Sequence, residues 1–113
     1  MHEMAITQQV LDIALAKARE SGARTITHIN LVVGESSSVI DDSVQFYFDF
    51  LSRDTLAQGA QLTFQRIPLK VRCHQCGCIF MPKKEDWKCP GCQQWKVEVV
   101  AGKEFYLESI EVD

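Results

Sequence analysis

Apolar residues recur every three or four positions between residues 4 and 20, a spacing that predicts an amphipathic helix. Polar side chains such as Gln8 and Asp12 fall on the opposite side of this helix. Ser21 and Gly22 follow, and glycine accepts the left-handed backbone with which many helices end. The predicted apolar face consists of Met4, Ile6, Val10, Leu11, Ile13, Ala14, Leu15 and Ala18.

A second helix is predicted after a loop that begins at Gly34. Ser38 is suited to cap its first turn, and Asp41 and Asp42 place negative charge where the helix dipole favours it. The helical pattern fades near Gly59. This segment carries the largest apolar cluster of the chain, formed by Val39, Ile40, Val44, Phe46, Tyr47, Phe48, Phe50 and Leu51.

Three other segments have the composition of β-strands. Thr25–Val33 is rich in β-branched and aliphatic residues, whereas Gln61–Ile67 and Glu104–Val112 alternate between apolar and polar positions. Together with the two helices, these segments predict an α+β fold, with a small three-stranded mixed sheet and two helices.

Four of the five cysteines form two close pairs, Cys73-x-x-Cys76 and Cys89-x-x-Cys92, with twelve residues between the pairs. Two thiolates at this spacing can reach one ion from a single tight turn, and two such turns supply the tetrahedral sulfur set of a structural Zn²⁺ site. Four protein ligands would close the site, so that it would stabilise the structure and catalyse nothing. The turn-forming residues beside these cysteines are Gly77, Pro90 and Gly91.

A disulfide framework is the competing interpretation of the cysteines. The chain shows no secretory signal, and its fifth cysteine, Cys78, would be left without a partner. We expect Cys78 to be partly buried and to have no role in metal binding. The alternatives are a spare thiol, a ligand that replaces one of the four, or a redox-sensitive position. Trp87 and Trp95 flank the second pair, and we expect them to cover the zinc site against water.

The cysteine-containing segment lies between the second and third predicted strands, so that it is an insertion into the main body. We expect a zinc-ribbon domain over residues 70–97 and an α/β body formed by residues 1–69 and 98–113. A chain of 113 residues with 46% apolar content is sufficient for one small domain with such an appendage. Its apolar runs are far too short to span a membrane, and we expect a cytoplasmic protein with reduced thiols.

Charge is unevenly distributed along the chain. The segment from Lys70 to Lys96 carries six basic and two acidic residues, whereas the remainder has six basic and thirteen acidic residues. A nucleic-acid-binding zinc ribbon is therefore the alternative function, since the basic segment also contains both tryptophans. The acidic remainder disfavours it, because it would repel phosphates, and we expect no nucleic-acid partner.

The chain starts with Met1-His2-Glu3, immediately before the first predicted helix. A free α-amine, backbone amide nitrogens and an imidazole nitrogen can surround one ion in fused chelate rings. Such nitrogen sets in a plane suit Ni²⁺ or Cu²⁺ and do not suit Zn²⁺. A histidine near the start of a chain is also common by chance, so the tripeptide alone leaves the function open.

Several motifs occur together in a fixed order. They are Met1-His2-Glu3, the Gly34-Glu35 turn, the helix with Phe46 and Phe50, the run Gly59-Ala60-Gln61-Leu62, and the pairs Cys73-x-x-Cys76 and Cys89-Pro90-x-Cys92. In this combination the chain resembles the HypA/HybF family of nickel metallochaperones over essentially its whole length.

This resemblance implies that the protein binds Ni²⁺ transiently and delivers it during maturation of [NiFe]-hydrogenases, without being an enzyme. It implies a nickel site at Met1, His2 and Glu3, and a structural Zn²⁺ held by Cys73, Cys76, Cys89 and Cys92. The implied partners are the GTPase HypB and the precursor of the hydrogenase large subunit, and a homodimer is left open.

Overall fold

The structure is a computed structural model that describes residues 3–37, 39, 41–83 and 86–113. The chain divides into two compact units. The first consists of Met1–Val32, Ser38–Gln65 and Phe105–Asp113, and the second of Val33–Ser37 and Arg66–Glu104. The elements are α1 (Glu3–Glu20), β1 (Ile26–Gly34), α2 (Asp41–Leu51), β2 (Gln61–Ile67), β3 (Lys70–Cys73), β4 (Ile79–Phe80), β5 (Val97–Ala101) and β6 (Phe105–Val112).

The three strands predicted from the sequence form one sheet in the order β2-β1-β6. Strands β1 and β6 are antiparallel, because Asp113 N donates to Thr25 O while Thr27 Oγ1 donates to Glu111 O. Glu35, the residue after β1, donates its amide N–H to the carbonyl of Ile67, the last residue of β2, so the carboxyl ends of these two strands lie together, as in a parallel pair. The sheet is therefore mixed, and the predicted α+β class is confirmed.

The core of the first unit is apolar and lies between the helices and this sheet. Helices α1 and α2 contact each other, and α1 also contacts β6. The buried side chains include Ile6, Val10, Leu11, Ala14, Leu15 and Ala18 of α1, Ile26, Ile29 and Leu31 of β1, Val44 and Phe48 of α2, and Leu62 of β2. The apolar side of α1 is narrower than the sequence predicted, since Met4 and Ile13 are exposed.

The apolar cluster of α2 is divided between the core and solvent. Val44 and Phe48 are fully buried, whereas Phe46 and Phe50 are 69% and 56% exposed. Side chains four residues apart lie on the same side of a helix, whereas side chains two residues apart point in directions that differ by about 200°. Alternate apolar residues in this segment therefore cannot all reach the same core.

Helix α1 ends as the sequence predicts. Gly22 adopts a positive φ of 70°, and the amide of Ala23 donates to Ala18 O at 3.0 Å. The amide of Ser21 donates to Lys17 O in the same turn. The predicted cap of α2, Ser38, lies outside the described residues. None of the described helices combines the length and apolar character that crossing a membrane requires.

The second unit contains an antiparallel sheet in the order β4-β3-β5. Val71 of β3 is opposite Phe80 of β4 and Val99 of β5, and its side chain is fully buried. Arg72 donates to the Glu98 carboxylate across β3 and β5. This sheet carries Cys73 at the end of β3 and thereby positions the first cysteine pair.

Two glycines in the second unit allow three backbone segments to approach closely. A Cβ atom at Gly34 would lie 2.1 Å from Gly102 O, and one at Gly102 would lie 2.6 Å from Leu69 Cα. Gly102 also has a positive φ of 107°. Its amide donates to Glu104 Oε1, while Glu35 Oε2 accepts from Leu69 N at 3.3 Å. Side chains at these two positions would displace backbone, so both glycines are required there.

Candidate metal centre

The first cysteine pair lies in a tight turn that follows β3. The amide of Gly77 donates to Cys73 O at 2.9 Å, and the amide of Cys73 donates to Cys78 O at the same distance. Gly77 has a positive φ of 75°, which a residue without Cβ adopts at little cost. These bonds bring Cys76 back toward Cys73.

The second pair repeats the same hydrogen-bonding pattern. The amide of Gln93 donates to Cys89 O, and the amide of Cys89 donates to Gln94 O, each at 2.9 Å. Gln93 occupies the position equivalent to Gly77 and has a positive φ of 66°. The residue type does not indicate this left-handed glutamine, because Pro90 and Gly91 are the residues that predict a turn here. The two turns are therefore equivalent in backbone although they differ in sequence.

The two turns bring four sulfur atoms together. The Sγ atoms of Cys73, Cys76, Cys89 and Cys92 all lie within 4.8 Å of one another. Two pairs are closer, with 3.4 Å between Cys73 and Cys92 and 3.6 Å between Cys76 and Cys89. Tetrahedral Zn²⁺ with Zn–S bonds of about 2.3 Å needs sulfurs about 3.8 Å apart. The cluster fits this ion.

The same distances argue against the disulfide interpretation. A disulfide needs an S–S distance of about 2.05 Å, which is far shorter than either close pair. All five cysteines are free thiols. The spacing of the sulfurs is that of metal ligands around a common centre, rather than that of a covalent bond.

Backbone amides favour the thiolate form at two of the four cysteines. The amide N–H groups of Cys92 and Gly91 lower the pKa of Cys89 to about 6, against the opposing effect of desolvation. The amides of Cys76 and Gln75 likewise lower the pKa of Cys73, and Gln75 N lies 3.4 Å from its sulfur. These two residues are also the buried members of the set.

The thiols of Cys76 and Cys92 have raised pKa values, so all four cysteines can be thiolates together only when a cation is present. The amide of Gln94 lowers the pKa of Cys92, but the hydrogen bond with Cys73 and desolvation raise it to about 12. The pKa of Cys76 is also raised: the amide of Cys78 lowers it, but the hydrogen bond with Cys89 and desolvation prevail. Four adjacent thiolates repel one another, so a divalent cation is the natural counter-charge for this site.

The neighbouring side chains depart in part from the predictions. Cys78 is exposed, so the expectation of a partly buried thiol is wrong, and its sulfur lies outside the four-sulfur cluster. Trp87 is half-buried, but Trp95 is 62% exposed with the Lys88 ammonium 5.9 Å from its ring centre. Trp95 therefore does not shield the sulfurs from water as predicted.

The predicted nickel ligands are only partly described. Met1 and His2 lie outside the described residues. Glu3 is the first residue of α1, it is half-buried, and its carbonyl accepts a hydrogen bond from Thr7 Oγ1. The first amides of a helix have no partner within it, so the Glu3 N–H group is not required by the hydrogen bonds of α1.

Fold and site together define a small α+β protein with a four-cysteine site on its second unit. The family model for "Hydrogenase/urease nickel incorporation, metallochaperone, hypA" matches residues 1–112. The chain therefore belongs to the HypA family of nickel-incorporation metallochaperones, as the sequence motifs predicted.

Curated relatives and solved structures agree with this assignment. The hydrogenase maturation factor HypA of Dehalococcoides mccartyi is 52% identical over 113 residues, which cover 100% of this chain and 95% of the relative. That of Caldanaerobacter subterraneus subsp. tengcongensis is 39% identical over the full length of both chains. The solution structure of the Ni metallochaperone HypA from Helicobacter pylori has a TM-score of 0.69 and 22% identity, and covers 99% of this chain and 97% of its own. The solution structure of a second HypA protein has a TM-score of 0.77 and 23% identity, with coverages of 99% and 96%. At these identities the solved structures support the fold.

Proposed function

We propose that this protein binds Ni²⁺ through Met1, His2 and Glu3 and delivers it during maturation of [NiFe]-hydrogenases. The observation that supports this proposal most is the match of the HypA family model across residues 1–112, which includes the amino-terminal tripeptide. The start of α1 at Glu3 is compatible with it, since the Glu3 amide lies among the helix amides without an intrahelical acceptor.

The chemistry of the tripeptide suits a cargo ion. The α-amine of Met1, the amide nitrogens of His2 and Glu3 and the His2 imidazole would supply four nitrogens in a plane, which Ni²⁺ accepts. Protons must leave these groups before the ion binds, so affinity should fall as pH falls. Moderate affinity is an advantage for a carrier, because a very tightly held ion would leave slowly.

We assign the structural Zn²⁺ to Cys73, Cys76, Cys89 and Cys92. When bound, Zn²⁺ would supply the charge that holds four thiolates together, and the four ligands leave no open position for a substrate. This is why we propose a carrier and not an enzyme. We also retain the division into a nickel-binding body, residues 1–69 and 98–113, and a zinc-ribbon domain, residues 70–97, as a functional hypothesis.

The proposed partners follow from the proposed delivery. They are the GTPase HypB and the precursor of the hydrogenase large subunit, in the cytoplasm and without nucleic acid or membrane. Relatives of this chain are named hydrogenase maturation factors, which supports a role in that assembly.

Calorimetric titration of the untagged protein with Ni²⁺, combined with metal analysis for zinc, tests the proposal. We expect an added residue before Met1 to abolish high-affinity nickel binding, because it removes the α-amine from the chelate. His2→Ala should have the same effect, while zinc content and the unfolding midpoint stay the same. His28→Ala, within β1, is the matched control and should retain nickel. Unchanged nickel binding in both amino-terminal variants would refute the proposed site.

A further inference from the structure

Strand β6 forms an edge of the three-stranded sheet, since the order is β2-β1-β6. Within the part of the chain that the structure describes, no strand pairs with its outer side. Edge strands present unpaired N–H and C=O groups, and most proteins protect them with charged side chains, above all lysine, or with proline or bulges. Residues 105–113 contain no lysine and no proline, and their charged side chains are all acidic, so they repel an acidic strand and not a basic one. This edge is therefore chemically able to accept another strand.

A groove runs between this strand and α1. A cavity of about 230 Å³ lies at one end, bounded by Val10 and Ile13 of α1 and by Tyr106 and Leu107 of β6. A second cavity, of about 440 Å³, lies further along the same two elements, between Lys17 and Glu20 of α1 and Ile110 and Val112 of β6. Residue numbers increase from the first cavity to the second in both α1 and β6, so the two cavities follow one another along the strand.

The walls of the groove combine exposed apolar side chains with the polar side chains of Lys17, Glu20 and Ser21 in the second cavity. Ile13 is 47% exposed, Tyr106 is 50% exposed and Val112 is 39% exposed. A strand added to β6 would direct alternate side chains toward α1, where these residues would cover them. The other side chains would point away from the helix. An occupant with apolar residues at every second position fits the two cavities.

Charge selects among the possible occupants. The strand and the residue after it carry Glu108, Glu111 and Asp113, and they carry no basic residue. A second copy of β6 would bring two acidic strands together, and like charges on paired strands are destabilising. An added strand with lysine or arginine between its apolar positions would instead pair with the Glu111 carboxylate.

We propose that the edge of β6 and the groove beside α1 form a docking site for an extended, basic peptide segment of a partner protein. The segment adds to the sheet through main-chain hydrogen bonds and places alternate apolar side chains in the two cavities. Its basic side chains lie on the other face, where Glu111 is within reach of Asn30, and pair with Glu111. This interaction surface is independent of the nickel site, and it uses the mode of recognition in which a peptide extends a sheet.

NMR titration of the full-length zinc-loaded protein tests the proposal with a synthetic nonapeptide in which lysine alternates with valine or leucine. We expect the largest shift changes at residues 105–112 and Ile13, and slower amide hydrogen exchange along β6. A peptide with glutamate in place of lysine should bind at least about tenfold more weakly, because both strands would then be acidic. A peptide with alternate backbone amides methylated should not bind, because it cannot donate to the edge.

Protein variants provide the second arm of this test. Glu108→Lys combined with Glu111→Lys should weaken binding of the lysine peptide at least about tenfold, and Ile13→Gln should weaken it severalfold. Asp12→Lys, on an exposed position of α1 outside both cavities, is the matched charge control and should change binding less than about twofold. Because all these side chains are exposed, the variants should fold.

Three results would overturn the proposal. The first is equal binding of the lysine and glutamate peptides, and the second is equal binding of the methylated peptide. The third is protection of the β6 amides that rises with protein concentration and without peptide, since it would make a second copy of this chain the occupant. Nickel titration of the Glu108/Glu111 variant should match the unaltered protein, so a failure of peptide binding is distinguishable from a failure of the nickel proposal.

Discussion

In the first unit, side chains from α1, β1 and α2 meet in one apolar core, where Val44 and Phe48 have no exposed surface. In the second unit, the buried apolar side chains of the described residues are Val33 and Val71, together with the ligand candidates Cys73 and Cys89. Each fully buried aliphatic side chain contributes about 1.5–3 kcal/mol, whereas ordering each residue costs about 1–2 kcal/mol of backbone entropy. Few apolar side chains are fully buried in the second unit, so we expect burial to contribute much less to its stability than to that of the first unit.

Metal coordination supplies what the second unit lacks. Structural Zn²⁺ sites contribute about 10–16 kcal/mol in zinc-finger peptides near neutral pH, and that contribution is folding free energy. The repeated backbone pattern at the two cysteine pairs prepares the sulfurs for one ion. We therefore expect one chain to combine a unit that folds by excluding water with a unit that folds around an ion.

Removal of zinc should produce the largest effect. We expect a strong chelator, or Cys89→Ser, to unfold the sheet β4-β3-β5 and to leave the helices of the first unit folded. The reason is that four thiolates without a cation repel one another, and little apolar surface opposes that repulsion. Amide NMR spectra of the zinc-loaded and zinc-free protein would measure this. Cys78→Ser is the control and should keep both zinc and structure, since its sulfur lies outside the cluster.

Dispersed amide signals of residues 70–101 in the zinc-free protein would contradict the claim that the second unit depends on metal. Loss of the signals of helices α1 and α2 at the same chelator concentration would contradict the claim that the first unit folds without metal. Either result would mean that the two units share one source of stability.

A cavity in the first unit should produce the second largest effect. Phe48→Ala removes a fully buried ring between the helices and the sheet, and we expect it to lower the free energy of unfolding by about 3–5 kcal/mol. Urea denaturation followed by far-ultraviolet circular dichroism would measure the loss. Phe46→Ala, two residues earlier and 69% exposed, is the matched control and should cost less than about 1 kcal/mol. Similar losses in both variants would contradict the assigned core.

Much of the first unit could be predicted because its pattern is local. The strand Gln61–Ile67 was predicted at its observed bounds, and the cap at Gly22 follows from the residue that occupies it. The division of the α2 cluster was harder to predict, because Phe46 and Phe48 are the same residue type and only packing decides which one is buried. The exposed Ile13 has the same explanation, since an apolar residue at the margin of a stripe can line a surface groove.

The candidate metal centre was likewise predictable only in part. The spacing of the four cysteines was enough to predict that they meet, because both members of each pair belong to one turn. The positive φ of Gln93 could not be predicted from its residue type, since the turn is imposed by hydrogen bonds to Cys89 and by the geometry of four sulfurs. The close approach of Gly34 and Gly102 depends on segments that are distant in the sequence. No local pattern could indicate it.

The smallest expected effect concerns the ion pair of the second unit. Arg72 donates to Glu98 across β3 and β5, and this hydrogen bond, with the positive charge of Arg72, lowers the pKa of the Glu98 carboxyl. A carboxyl whose pKa is lower in the folded state contributes stability above its unfolded pKa, and that contribution is lost as pH falls through the folded value. Both side chains are more than a third exposed, so solvent screens the ion pair. We therefore expect it to contribute little to the free energy of unfolding.

Titration of the Glu98 side-chain carbon signal by NMR would measure this prediction. We expect a midpoint below the usual value of a glutamate, about 4.3, and a return toward that value in Arg72→Gln. The unfolding of the second unit on chelation should be nearly unaltered in Arg72→Gln, because the ion pair is secondary to the metal. If Arg72→Gln unfolded the zinc-loaded sheet, the strands would be held by their side-chain pairs, and the contrast between a water-excluding unit and an ion-centred unit would have to be abandoned.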